Sequence, residues 1–327
     1  MTEKFTISQA FDGFLSLIQS SRSQNTHRSY ASALSFFLQS LGDPQEVGRQ
    51  PISTLRESSI LKCIDRLHHL APATEHLYLT AIYRFFEYLS ASEIISVNLS
   101  KLRLLIRQRT RRPGQRLPQF AQKEIEEIVT YAIKLVDNLP RRYRDRLRVL
   151  RDRALILTLA DTGLRIHEAC SLRRGDVDWM EHKAIVLGKG NQQAVIRFST
   201  RSLKAIKEYL AERSPLDGAL GRPIASLPLF ARHDRRVGKE IKPISTTTGR
   251  QIIEHHVALA LGREAAQLIT PHSFRHYFVT TVLRGSGGNL KLAQELARHK
   301  SIGVTQRYAH LSDEELDRHY HEIFEQS

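Results

Sequence analysis

Tyr308 stands nine residues after His299 in the stretch "RHKSIGVTQRYAHLS", nineteen residues before the chain ends. A phenol has a reference pKa of about 10 and is a poor nucleophile until its proton is accepted or its developing charge is met by cations. Read alone, Tyr308 suits a packed core as well as a reaction. Two upstream stretches gather polar side chains that packing explains less well. In "TPHSFRHYFVTTVL", residues 270–283, Pro271 fits the first turn of a helix, and His272 and Arg275 share one face of it at i and i+3. In "LADTGLRIHEACSL", residues 159–172, an apolar helix reaches Gly163 and then presents Arg165 and Glu168. Such an arginine either caps helix carbonyls or offers a planar donor fork to phosphate oxygens. Lys189, in Gly188-Lys189-Gly190-Asn191, lies between two β-branched runs and is either a turn lysine or a mobile acid.

These side chains need elements to hold them. Ile7, Ala10, Phe11, Phe14, Leu15 and Ile18 follow the spacing of one helix face, and Tyr30, Ala33, Leu34, Phe37, Leu38 and Leu41 repeat it, with Thr26 placed as N-cap. Further helices are predicted over Ser58 to Leu70 and Ala73 to Leu89. The first hundred residues thus read as a small helical bundle. Arginines fill the outer faces of a helix carrying Tyr143, Leu147, Leu150, Ala154 and Leu157, and most of them are expected to meet water. Residues 182–199 predict a β-hairpin around Lys189. Helices resume from Leu203, with a loop expected over Pro215 to Pro228. The last segment, 311–324, opens on a capping pattern and is amphipathic through Leu316, Tyr320 and Ile323.

The formal charge is +15, and it is uneven. Residues 1–100 carry eight Lys or Arg against nine Asp or Glu, whereas 101–153 carry sixteen against six. That band favours a polyanionic partner. Its first part, "KLRLLIRQRTRRPGQRLPQF", holds Lys101, Arg103, Arg107, Arg109, Arg111, Arg112 and Arg116, no acidic residue, and the breakers Pro113, Gly114 and Pro118. A domain boundary is placed there: a helical domain over 1–105, a basic linker over 106–120 suited to lie along a nucleic-acid backbone, and a second domain over 121–327. No run has the length of a membrane span and the start lacks a signal-peptide layout, so the expected location is the cytoplasm. Cys63 and Cys170 suggest neither a disulfide framework nor a zinc site and are expected to be reduced and buried.

Taken together, the motifs resemble the tyrosine recombinase, or phage integrase, family, in particular its Xer-like site-specific recombinases. "TGLRIHEACSLRRGDVD" is similar to the family's first arginine box, with Arg165 as catalytic arginine and Glu168 as its supporting acid. "GKGNQQ" resembles the hairpin turn that bears the family lysine, Lys189. "HSFRH" resembles the His-x-x-Arg box, His272 and Arg275, and "LARHKSIGVTQRYAHL" the box holding His299 and the nucleophile Tyr308. One departure stands out: where the family usually has Leu-Gly-His, this chain has Ala297-Arg298-His299.

The resemblance implies a mainly α fold with a small β-sheet. It comprises an N-terminal SAM-like helical core-binding domain and a C-terminal mixed α/β catalytic domain. It implies cleavage and rejoining of double-stranded DNA through a 3′-phosphotyrosine with a free 5′ hydroxyl, and strand exchange between two duplexes. Neither metal nor other cofactor is implied. The assembly implied is a homotetramer on synapsed sites, monomeric or weakly associated when free, with room for accessory proteins and a tail helix that docks in cis or in trans. Type IB topoisomerase-like relaxation and a non-cutting DNA-binding regulator on the same fold are the alternatives.

Overall fold

The computed structural model describes residues 5–110, 122–188, 193–218, 221–234 and 241–306. The chain divides into two compact units, Met1–Arg116 and Leu117–Ser327. In the first, six helices follow in order: α1 (Ile7–Ser21), α2 (Gln24–Leu41), α3 (Pro44–Arg49), α4 (Ile60–Leu67), α5 (Pro72–Ala91) and α6 (Leu99–Arg109). Their apolar faces meet in one core, where Phe11 and Phe14 of α1 pack on Phe85 of α5 and Phe37 of α2 packs on Phe86. Thr6 and Gln9 close a reciprocal capping box at the start of α1.

Local chemistry moves some expected boundaries. Ser23, not Thr26, caps α2, because the serine hydroxyl already accepts from the Thr26 amide and the first turn begins at Gln24. The helix expected over Ser58 to Leu70 is a 3₁₀ turn at Glu57–Ser59 followed by the shorter α4. Helix α6 runs to Arg109, with Leu102 fully buried and Ile106 packed on the same core.

The second unit holds α7 (Gln122–Lys134), α8 (Tyr143–Thr162), α9 (Ile166–Ser171), β1 (Val177–Asp178), β2 (Lys183–Leu187), β3 (Gln193–Arg197), α10 (Thr200–Gly218), α11 (Thr246–Leu261), α12 (Arg263–Leu268), α13 (Pro271–Gly285), α14 (Leu290–Ala297) and α15 (Ile302–Gln306). The sheet is antiparallel in the order β1-β2-β3, with Ile185 opposite Val195. Its inner face buries Ala184, Val186 and Ile196. The centre of the unit is α8, which packs against α7, α10 and α13.

One expectation about this unit has exceptions and another is corrected. Arg141, Arg142 and Arg144 meet solvent, but Arg151 and Arg153 are buried, held by Asp152 and by Glu208 of α10. Pro215 opens no loop; it lies in the last turn of α10, beside the Arg213–Asp217 pair at i and i+4. Arg213 is fully buried and donates to Asp217 (2.9 Å), the Tyr209 hydroxyl (3.0 Å), Pro228 O (2.9 Å) and Leu229 O (3.1 Å), fixing the 228–231 segment on α10. A buried guanidinium is tolerated because its donors are met.

Cys63 and Cys170 are free and buried, and burial raises their thiol pKa values to about 11 and about 12. No helix among the described residues is long and apolar enough to cross a membrane.

Candidate active site

The site begins at the end of α8. Gly163 adopts the left-handed conformation (φ 60°), and a Cβ there would lie 2.4 Å from Cδ1 of Phe278, so both backbone and space call for glycine. The reversal delivers Arg165 to the N-cap of α9. Its backbone N–H donates to Oε2 of Glu168 (2.9 Å) and its Nη1 to Oε1 (3.0 Å). The Glu168 side chain is 1% exposed while that of Arg165 is 43% exposed, so the acid anchors an arm that reaches outward.

Arg275, on α13, is buried. Its Nη1 donates to Gly163 O (2.6 Å) and its Nη2 to Ala297 O, the last residue of α14. One guanidinium therefore ties the α8–α9 turn to the end of α14. On the same helix His272 occupies the first turn, where Pro271 starts the helix, and its ring meets His276 edge-on at 4.2 Å between centroids. Just past α14, His299 Nδ1 shares a 2.9 Å hydrogen bond with the hydroxyl of fully buried Thr305.

Electrostatics join these groups. Burial, then Arg275 and Arg165, lowers the pKa of His272. His276 is pushed down to about 4 by burial, His272, Arg275 and His299, and His299 to about 4 by burial, Arg275, Arg165, His272 and Arg298. At neutral pH His276 and His299 are thus uncharged next to two arginines. A cavity of about 510 Å³ opens beside this cluster, lined by Arg165, His272 and Arg275 together with Arg250 and Glu254 of α11. It is a cationic recess suited to a phosphate.

The residues singled out in the sequence fall into three groups. Arg165, Glu168, His272, Arg275 and His299 come together, although His299 does not line the cavity itself. Lys189 and Tyr308 lie outside the described residues, as do Arg111, Arg112, Arg116 and the segment 311–324. The remaining basic residues sit on α6. There Arg103 donates to the Tyr83 hydroxyl (2.8 Å) and covers its ring, Lys101 faces Glu57 at 3.9 Å, and Arg107 and Arg109 are exposed. Sequence reasoning missed Arg250 and Glu254, which carry no motif, and it left the role of Arg298 unread. Among the described residues, no group of three or more His, Cys, Asp or Glu side chains is placed to hold a metal ion.

Comparison with known proteins bears on the whole arrangement. Residues 119–315 match the model of the phage integrase family. The tyrosine recombinase XerC of Bacillus subtilis is 30% identical over 246 residues, covering 74% of this chain and 71% of the relative. XerC of Treponema denticola is 28% identical over 253 residues, 77% of each chain. Among solved structures, the Tn1549 transposon integrase in complex with transposon right-end DNA superposes with a TM-score of 0.66 at 18% identity, covering 98% of this chain and 100% of that one. The XerH site-specific recombinase bound to difH substrate, in its pre-cleavage complex, gives 0.65 at 19% identity, covering 92% and 79%. These two structures share the fold.

Proposed function

The chain belongs to the phage integrase family, the tyrosine recombinases that cleave and rejoin DNA at specific sites, and from that premise we propose how its own residues divide the work. The observation that carries the reading is the meeting of Arg165, His272 and Arg275 at one cavity, more than a hundred residues apart in the chain between the first and the others. A phosphodiester entering that recess meets a lining that sets Arg165, Arg250 and Arg275 beside one carboxylate, Glu254.

Tyr308 is the nucleophile. Its hydroxyl oxygen attacks the scissile phosphorus, the bond to the 5′ oxygen breaks, and a 3′-phosphotyrosine forms. His272, held below the usual histidine range, is neutral and accepts or shares the phenol proton. Lys189 gives a proton to the departing 5′ oxygen. Arg165 and Arg275 hold the non-bridging oxygens, whose charge grows in the transition state, and His299 adds a hydrogen bond. Each such donor is worth roughly 2.7–4 kcal/mol by the standard of oxyanion sites. Reversal with a different 5′ hydroxyl rejoins the strand.

The partner in this reading is double-stranded DNA, with residues 1–105 and the basic stretch gripping the duplex and residues 121–327 cutting it. Two duplexes are exchanged in a homotetramer, and the work is done in the cytoplasm at the nucleoid. Tyr308→Phe tests the central assignment, since it removes only the hydroxyl. The variant is expected to bind nicked target duplex like the wild type and to form no covalent protein–DNA adduct on a denaturing gel; a persisting adduct would give the chemistry to another residue.

A further inference from the structure

We propose that Arg298 is a positioning residue for Arg165, acting through Glu168. The inference rests on the recombinase reading above and adds a residue to it. Arg298 caps α14 in the left-handed conformation (φ 58°, ψ 45°), which a side chain disfavours and glycine adopts freely. Its side chain supplies the compensation. Nη2 of Arg298 donates to Oε2 of Glu168 at 3.0 Å, across 130 residues of sequence. The same oxygen accepts from the Arg165 amide, and the other carboxylate oxygen from Arg165 Nη1.

Two features separate this contact from incidental surface pairing. The Arg298 side chain is 11% exposed, and its Nε is buried with no hydrogen-bond partner among the described residues, so the guanidinium leaves water for this carboxylate. Glu168 is buried as well. Burial alone would raise its carboxyl pKa, and Arg298 and then Arg165 more than reverse the effect. A carboxylate with only Arg165 as counter-charge would compete with the phosphate for that one guanidinium. Arg298 supplies a second, permanently buried cation, so Glu168 stays ionised and keeps its grip on the amide and Nη1 of Arg165, holding that side chain at the cavity. The triad also joins the start of α9 to the turn that bears His299.

A double-mutant cycle tests the assignment, with single-turnover cleavage of a nicked duplex and DNA affinity measured for wild type, Arg298→Gly, Glu168→Gln and the double variant. Glycine suits the backbone there, so the variant should fold. Arg298→Gly is expected to slow cleavage at saturating DNA by roughly tenfold or more, with affinity within about twofold of wild type. Arg298→Lys should recover part of the rate. In the Glu168→Gln background, Arg298→Gly should change the rate by less than about twofold, because no carboxylate is left to hold. Equal slowing in both backgrounds, or a wild-type rate in Arg298→Gly, overturns the proposal. If the wild type itself forms no adduct on its DNA, the recombinase reading fails, and urea unfolding of the same four proteins decides the triad: coupled losses support it and additive ones overturn it.

Discussion

Gly163 shows how much of the site hangs on single residues. It ends α8 with a positive φ, lies under the Phe278 ring, and lends its carbonyl to Arg275. Gly163→Ala is expected to destabilise the protein by about 2 kcal/mol or more, from left-handed strain plus the clash, with chemical denaturation as the measurement. An unchanged midpoint would mean that the turn relaxes freely. At this scale the sequence was partly legible. Arg165, His272 and Arg275 stand in local motifs whose spacing survives into the fold. Arg250 and Glu254 do not, because they reach the cavity only through the packing of α11 against α9, where Gly249 permits close approach to Ile166 and Cys170. The same holds for Arg298, whose partner is remote in sequence.

Among the elements, the seam between α8, α10 and the segment after Phe230 carries a polar core. Tyr209 OH accepts from Arg213 Nη1 (3.0 Å) and Ala231 N (3.2 Å), so its own proton points at His233 Nε2 (2.8 Å). That nitrogen must be an acceptor, and His233 is neutral. Burial first, then Arg151 and Arg213, pushes its pKa down to about 3. The unfolded chain takes up this proton below about pH 6.5 while the folded chain refuses it until about pH 3, so stability is lost as pH falls through that window. By pH 5 the loss from this one group is about 2 kcal/mol. Thermal unfolding of His233→Gln should therefore fall less steeply than that of wild type between pH 7 and pH 5; parallel curves would count against the assignment. Helical periodicity found α8 and its apolar stripe. It did not find that Arg151 and Arg153 turn inward, since their acceptors include Glu208 of α10 and Ala231 O, brought near only by the fold.

For the whole molecule, the basic band is the feature that composition exposes best. Within the first unit Arg103 covers Tyr83 and Lys101 faces Glu57, and Arg107 and Arg109 of α6 are exposed like them. Affinity for duplex DNA should fall steeply with salt, and Arg107→Ala with Arg109→Ala should flatten the slope of log K against log salt by about 2 if each meets one phosphate. An unchanged slope would remove both from the backbone contacts. The architecture, two units with a small sheet in the second, was legible because helix faces and the hairpin are written locally. The two cysteines are divided between those units, one in each, and both thiols are sealed and protonated. The native surface therefore gives a maleimide dye nothing to react with, and a single introduced cysteine would be its sole handle for following either unit on DNA by fluorescence.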